Sequence, residues 1–182
     1  DQVVGAYRML RDKVAKTIGG FYSAKEYGLN EFIDNLEGHN ACEIGRSCVH
    51  FEYRNNQIIQ LLWRGLAQYY AKYELTRIFG CASFPSCSLD DLSIPLSYLY
   101  HYHLAPDKLR VKALPNHFNS MNLIAKKDIN IRQAIKLVPP LIRAYLRLGG
   151  VCGDGAVIDR QFGTTDVFMV LAMEDVPEKY HD

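Results

Sequence analysis

A glutamate and an arginine three residues apart begin the part of this chain with the clearest chemistry. In residues 42–70, CEIGRSCVHFEYRNNQIIQLLWRGLAQYY, Glu43 stands at the start of an apolar, strand-like run and Arg46 follows it. A carboxylate at a strand edge that faces a cleft can take a proton from an amine nucleophile. The alternative is a structural ion pair on a half-buried strand, and the spacing alone favours that alternative.

A basic turn, Tyr53 to Gln57 (YRNNQ), connects this strand to an amphipathic helix. Free backbone N–H groups and the positive end of the helix dipole meet at such a turn, and Arg54 adds a charge, so the turn can bind an anion such as pyrophosphate. The glycines that let a backbone approach phosphate closely are absent. A base beside an anion-binding turn indicates group transfer from a phosphorylated carrier.

A tyrosine in LIRAYLRLGG, Tyr145, is a second candidate for proton transfer. It can act as a general acid toward a leaving thiolate. The stripe Leu141, Tyr145 and Leu148 is equally the apolar face of a helix, and periodicity favours that interpretation.

The residue spacing does not support a metal site, a serine nucleophile elbow or a glycerolipid O-acyltransferase motif. His101 and His103 lie two apart on a helix and do not share a face, so they cannot chelate a metal together. There is no GxSxG nucleophile elbow. No histidine has an aspartate five positions later, which argues against a glycerolipid O-acyltransferase.

The elements that position these residues alternate between strands and helices. Period-two runs predict strands at 2–10, 41–49, 77–84, 151–159 and 165–172, and helical spacing predicts helices at 55–73, from 93 to before Pro106, at 130–136 and from Pro140 to before Gly149. The segment 23–36 is predicted to be helical or irregular, with Ser23 as a possible N-cap. The order indicates one α/β or α+β domain.

Composition limits the classes of protein further. The 182 residues are 48% apolar and 23% charged, with a formal net charge of +1, as in an ordinary globular domain. This balance predicts no nucleic-acid partner, and no apolar run is long enough to span a bilayer. The chain begins at Asp1 within a strand-like run, so we expect a segment to precede it.

Several long segments together resemble one family. They are VVGAYRML, FYSAKEYGL, EIGRSCV, LLWRGLAQY, FGCASF, SYLYHYHLAP, VPPLIRAYLRLG and VCGDGAVIDRQFGTTDV. From about Val3 to Val170 the chain resembles the bacterial ornithine lipid N-acyltransferases, of the GCN5-related N-acetyltransferase (GNAT) superfamily and related to acyl-homoserine lactone synthases. The resemblance implies transfer of a 3-hydroxy fatty acyl group from acyl carrier protein to the α-amino group of ornithine or a similar amino acid.

The resemblance also implies a fold and a site. The fold is α/β (α+β), with a mixed central sheet whose strands splay and are flanked by helices. Glu43 is the implied base and Tyr145 the implied acid. The implied substrate-binding residues are Arg8, Arg46, Ser47, Cys48 and Val49, with backbone N–H groups near Cys48 and Val49 polarising the thioester. The implied phosphopantetheine-binding residues are Arg54, Asn55, Asn56, Gln57 and Ile58.

The expected co-substrate is the phosphopantetheine thioester of acyl carrier protein, with no bound cofactor and no metal. The missing glycines in 54–58 favour a carrier protein over coenzyme A, because the carrier's prosthetic group presents one phosphate rather than a pyrophosphate. We expect residues 1–182 to be a single acyltransferase domain that lacks the family's N-terminal strand and helices. The expected location is cytoplasmic, with transient contact at the inner membrane.

Two other functions stay open at this point. An acyl-homoserine lactone synthase-like enzyme would use S-adenosylmethionine as acceptor. A non-catalytic GNAT-like module would bind acyl carriers or lipids without releasing thiol. A dedicated membrane-surface lipid-binding protein is disfavoured by the near-neutral charge and by the lack of a recognisable basic amphipathic helix.

Overall fold

The computed structural model describes residues 2–36, 40–54 and 56–176, with the backbone alone for Asn56 and Ile59. The strands are β1 (Gly5–Arg11), β2 (Tyr27–Gly28), β3 (Ala41–Val49), β4 (Arg77–Phe84), β5 (Lys112–Ala113), β6 (Val151–Cys152), β7 (Val157–Asp159) and β8 (Thr164–Ala172). The α-helices are α1 (Asp12–Ala15), α2 (Asn30–Asp34), α3 (Asn56–Tyr73), α4 (Ser93–His103), α5 (Ile131–Leu137) and α6 (Pro140–Arg147).

A mixed sheet forms the centre of the molecule. Among the described residues its strand order is β1-β3-β4-β8-β6, with β7 also paired to β8. The β3–β4 pair is parallel because α3 returns the chain to the same edge, and the other pairs are antiparallel. The predicted α+β fold with a mixed sheet and flanking helices is confirmed.

The two faces of the sheet have separate cores, because strand side chains alternate between faces. We call one the aromatic face: it carries Phe79 and Phe168 and is covered by residues of the segment 15–36. We call the other the helix face: it carries Ile78 and Met169 and is covered by α3, α4, α5 and α6. A group that reaches both faces must pass between strands.

The two parallel strands part after three residue pairs. Their register runs from Ala41 opposite Arg77 to Glu43 opposite Phe79. At the next position a Cβ on Gly80 would collide with the carbonyl oxygen of Ile44. The predicted splay of the central strands therefore begins at Ile44 and Gly80.

A β-bulge in β3 follows the splay. Its pairing with β1 shifts by one residue between Ala6 and Arg8, so β3 carries one extra residue there. Arg46 lies in this bulge with φ of 52°, a left-handed conformation that is uncommon outside glycine. A bulge bends its strand and redirects side chains, and this one lies in the part of β3 that no longer pairs with β4.

Most of the predicted elements are present in the structure. The strand 77–84 and the helix from residue 56 are found, and the Asn130 side chain caps α5 by accepting from the N–H of Gln133 at 3.2 Å. The N-cap role predicted for Ser23 is wrong, since Ser23 lies inside a 3₁₀ turn, Tyr22–Lys25. The strand predicted at 151–159 is interrupted between β6 and β7.

That interruption has a packing cause. A Cβ on Gly153 would meet the carbonyl oxygen of Val111 at 2.5 Å, so the backbones approach each other where only glycine fits. None of the helices in the described residues combines the length and apolar character that crossing a membrane requires.

Candidate active site

The splayed strands enclose a cavity of about 450 Å³. Its walls include the parted segments 44–47 of β3 and 80–83 of β4, together with residues of β1, β8, α6 and the turn between β7 and β8. Because it lies where the two central strands separate, the cavity has lining residues from both faces of the sheet.

The two ends of the cavity differ in character. Register puts Glu43 and Asp166 on the aromatic face, opposite Phe79 and Ser83 respectively. On the helix face the lining is apolar or phenolic and includes Tyr7, Tyr145, Leu141, Met169 and Leu171. A polar substrate and an apolar one can therefore meet at the splay from opposite sides.

Glu43 is a fixed part of the polar end. Its side chain is 2% exposed, its Oε2 accepts from the N–H of Tyr22 at 2.8 Å, and its Oε1 accepts from the N–H of Ser23 at 2.8 Å. These bonds attach the Tyr22–Lys25 turn to β3. Each carboxylate oxygen keeps a further lone pair, so the group can still accept a proton from the cavity it lines.

Two arginines and a tyrosine form a cationic wall. The guanidinium carbon of Arg8 lies 4.7 Å from the centroid of the Tyr22 ring, and that of Arg46 lies 5.4 Å from it. Arg46 also donates from Nη2 to the Tyr22 hydroxyl at 3.2 Å. The Nε of Arg8 is buried and has no hydrogen-bond partner among the described residues. This wall can receive an anionic group of a substrate.

Arg8 reaches its position across a glycine. Arg8 is paired with Gly45 in the β1–β3 ladder, and a Cβ on Gly45 would lie 3.1 Å from Nη2 of Arg8. The family resemblance implies that Arg8, Glu43 and Arg46 belong to one site, and in the structure all three line the same cavity.

Tyr145 lies at the other end, hydrogen-bonded to Tyr7 through their hydroxyls. Tyr7 also bonds to the Ser47 side chain. Burial raises the pKa of both phenols, that of Tyr145 to well above its usual range. A raised pKa favours the neutral phenol of Tyr145, which is the form a proton donor must have.

An acidic wall, which is not among the predicted site residues, faces the cavity from β7 and β8. Asp166 accepts from the Thr164 hydroxyl at 3.1 Å, and Asp159 Oδ1 accepts from the N–H groups of Gln161 and Phe162 at 2.9 and 3.0 Å. Burial raises the pKa of Asp166, Ser83 and Thr164 lower it, and Asp159 raises it. The available signal was a charged residue, Asp166, directly before the apolar run VFMVLA of the same strand.

The other predicted site residues lie outside this cavity. Cys48 and Val49 pair with Ala6 and Gly5 of β1 beyond the bulge, and neither lines the cavity. Arg54 is exposed, and its Nε donates to the Val49 carbonyl oxygen at 3.1 Å.

The predicted phosphopantetheine turn is only partly described. A 3₁₀ turn, Phe51–Tyr53, leads to α3, and Ile58 in its first turn lies against Gly5. Gln57 is exposed. Asn55 lies outside the described residues, as does the side chain of Asn56.

The described ranges 2–36, 40–54 and 56–176 contain no candidate metal site. No group of three or more His, Cys, Asp or Glu side chains there is arranged to hold an ion. The cavity offers carboxylates, guanidinium groups and phenols, which suit proton transfer and the binding of charged substrate groups.

A mixed sheet with splayed parallel strands around a cavity defines a GNAT-type acyltransferase domain. A family model described as an acetyltransferase (GNAT) domain matches residues 1–64. The L-ornithine N(alpha)-acyltransferase of Rhizobium meliloti is 41% identical over 180 residues, which are 99% of this chain and 61% of the relative. Those of Brucella abortus and Rhodobacter capsulatus are each 42% identical, over 98% and 100% of this chain.

The chain belongs to the L-ornithine N(alpha)-acyltransferase family. It spans 61% of the Rhizobium relative, 64% of the Brucella relative and 69% of the Rhodobacter relative. A comparison with solved structures finds no match.

Proposed function

We propose that this protein transfers a fatty acyl group from an acyl thioester to the α-amino group of ornithine or a similar amino acid, the first step of ornithine lipid synthesis. The observation that carries the proposal is the cavity at the splay, which joins a polar end containing Glu43 to an apolar end containing Tyr145. Membership of a family whose relatives are named L-ornithine N(alpha)-acyltransferase supports this choice of reaction.

The reaction is a direct attack within a ternary complex. The neutral α-amine attacks the thioester carbonyl, a C–N bond forms and the C–S bond breaks. Glu43 accepts the proton that the amine loses, directly or through a water molecule. Tyr145 protonates the departing thiolate, and no covalent enzyme intermediate is required.

The binding of the amino acid fits the cationic wall. Arg8 and Arg46 present guanidinium groups, which suit a carboxylate, and the Nε of Arg8, which has no hydrogen-bond partner among the described residues, leaves a donor to be satisfied. A buried donor without a partner costs free energy. An α-carboxylate beside Tyr22 would supply the missing acceptor and hold the α-amine near Glu43.

The proposed donor is the phosphopantetheine thioester of acyl carrier protein. The pantetheine would enter along the parted segment of β3 that contains Arg46 and Ser47. Its phosphate would lie at the turn before α3, where Arg54 and the first backbone N–H groups of a helix offer an anion site. Backbone N–H groups of the bulged segment, at or before Cys48 and Val49, would polarise the thioester carbonyl.

We also propose a cytoplasmic location with transient contact at the inner membrane through one surface of the protein. Exposed apolar side chains alternate there with basic ones; we call it the basic-apolar surface, and it consists of Leu123, Lys126, Lys127, Ile131, Arg132, Ile135, Lys136 and Leu137. Residues 123–137 contain four basic residues and one acidic residue. Anionic lipid attracts such a surface, and the proposed product is itself a lipid.

Thiol release tests the proposal. Purified full-length protein is mixed with 3-hydroxyacyl carrier protein and with ornithine, S-adenosylmethionine or no acceptor. We expect free thiol and N-acylornithine with ornithine only. Release with S-adenosylmethionine instead would indicate a homoserine lactone synthase, and binding of the carrier protein without any release would indicate a non-catalytic module.

A further inference from the structure

A carboxylate in the cavity wall has no cation to pair with among the residues that the structure describes. Asp166 is half-buried and lines the cavity, and its carboxylate accepts from neutral hydroxyl groups of Thr164 and Ser83. It forms no ion pair with any residue of the described ranges. A carboxylate removed from water in this way is costly unless an opposite charge reaches it.

The neighbours of Asp166 increase the need for a cation. Asp159 lies close enough to raise its pKa, and Asp166 and Asp159 in turn raise the pKa of Glu26. Lys25 and His117 lower the pKa of Glu26, whereas none of the basic residues in the described ranges shifts the pKa of Asp166. The positive charge that is missing from this wall can come from a ligand in the cavity.

The acidic wall meets the cationic wall at one aromatic residue. The guanidinium carbon of Arg46 lies 5.3 Å from the ring centroid of Phe162, and the N–H of Phe162 donates to Asp159. Phe162, Asp159 and Asp166 all line the cavity. The polar end of the cavity therefore suits an anion beside its cationic wall and a cation beside its acidic wall. Glu43 lies in the wall of the same polar end.

We propose that Asp166 binds the side-chain ammonium group of the acceptor amino acid and so selects a diamino acid over a neutral one. This inference rests on the proposed function, in which the α-carboxylate occupies the arginine wall. Ornithine has the required charges, with its side-chain ammonium three methylene groups from the α-carbon. A neutral acceptor of the same length would leave Asp166 without a partner.

A purely structural role for Asp166 makes a different prediction. Asparagine keeps an acceptor oxygen for the hydroxyl groups of Thr164 and Ser83 but removes the charge. Asp166→Asn therefore separates a structural role from binding of the ammonium group, and it leaves the size of the side chain nearly unchanged. Asp91→Asn is the matched control, because Asp91 is an exposed carboxylate outside the cavity.

The experiment compares ornithine with 2-aminopentanoate, which lacks only the terminal amine. Binding of each is measured by calorimetry, and kcat/KM by thiol release from 3-hydroxyacyl carrier protein, for the full-length wild type and both variants. We expect wild type and Asp91→Asn to prefer ornithine about 100-fold. Asp166→Asn should lose most of that preference through a higher KM for ornithine, while its kcat/KM for 2-aminopentanoate changes less than about threefold.

Binding and turnover separate this inference from the proposed function. If Asp166→Asn keeps the wild-type preference for ornithine, the inference is wrong and the proposed function stands. If no thiol is released by any protein but ornithine binds in an Asp166-dependent way, the proposed function is wrong and the inference stands. Wild type that binds both amino acids equally, or neither, overturns the inference.

Discussion

Glu43 has two tasks in this cavity. Both of its oxygens accept backbone N–H groups of the Tyr22–Lys25 turn, so the carboxylate attaches the element that supplies Tyr22. The proposed reaction also needs the same carboxylate to accept a proton. Substitution of Glu43 consequently affects both stability and turnover, and a test must measure each separately.

Glu43→Gln is expected to lower both the stability of the protein and its turnover. The glutamine amide turns an N–H donor toward one of the two backbone donors, so one buried N–H loses its acceptor. Such a loss costs about 1–3 kcal/mol of unfolding free energy. Chemical denaturation measures that cost, and thiol release below the melting transition should fall about 100-fold or more.

The control for this variant is Glu31→Gln, at an exposed position in α2. Glu31→Gln should change neither the unfolding free energy nor the rate of thiol release. A folded Glu43→Gln protein with full turnover would contradict the assignment of Glu43 as the base.

Tyr145→Phe is expected to slow turnover about 100-fold with little change in KM for ornithine, because a proton donor to the leaving thiolate is lost. Burial raises the pKa of Tyr145, and the neighbouring Tyr7 and Tyr70 raise it further. The hydroxyl therefore stays protonated from about pH 7 to pH 9. The ratio of wild-type to variant turnover, measured at both ends of that range, should be the same.

A fall of this ratio toward one at the higher pH would mean that Tyr145 loses its proton there and would contradict the assignment. Tyr7→Phe is the comparison variant. Tyr7 lines the same cavity and also bonds to Ser47, so its loss should have a smaller effect than that of Tyr145 if Tyr145 is the donor.

At the scale of elements, the splay and the bulge create the site. Periodicity predicted β3, α3 and β4 well, because each has a long apolar pattern that its own burial requires. It could not predict that Gly80 passes against the Ile44 carbonyl, or that Asp159 and Asp166 come to the same cavity. The cavity depends on the approach of Gly80 to Ile44 and on the pairing of β4 with β8, both of which join residues far apart in sequence, so no local pattern places these side chains around it.

Gly80→Ala tests the splay. A methyl group there would collide with the carbonyl oxygen of Ile44, so the β3–β4 separation must change. We expect a loss of about 1–3 kcal/mol in unfolding free energy and a fall in turnover. Denaturant titration and thiol release measure the two effects.

The control is Gly65→Ala, in the exposed middle of α3, where a Cβ would meet no atom within 4 Å. Alanine is a better helix former than glycine, so this change should stabilise the protein by about 0.5–1 kcal/mol. Equal stability changes in the two variants would show that the contact at Gly80 is not close.

At the scale of the whole molecule, the cavity at the splay has a polar end on the aromatic face of the sheet and an apolar end on the helix face. In the proposed reaction the amino acid would bind on the aromatic face and the acyl chain would extend toward the helix face, where α4, α5 and α6 pack. The basic-apolar surface belongs to α5 and the segment before it, on that same side of the sheet. An acyl product would then leave toward the surface that contacts lipid.

Vesicle binding tests this arrangement. The full-length protein should co-sediment with vesicles that contain anionic phosphatidylglycerol and bind less as salt rises. Changing both Lys126 and Lys127 to alanine should weaken binding about 30-fold, since each basic residue near such a surface contributes about 1 kcal/mol. The matched control changes Lys13 and Lys16, which are exposed next to the aromatic-face core, and should bind as the wild type does.

Equal losses in the two double variants would mean that overall charge, rather than this surface, attracts the lipid. The remaining alternative is that the surface binds the acidic carrier protein. In that case the Lys126/Lys127 variant would show a raised KM for the acyl carrier protein in the absence of vesicles. An unchanged KM combined with weaker vesicle binding is the result that assigns the surface to the membrane, because only a lipid contact is then lost.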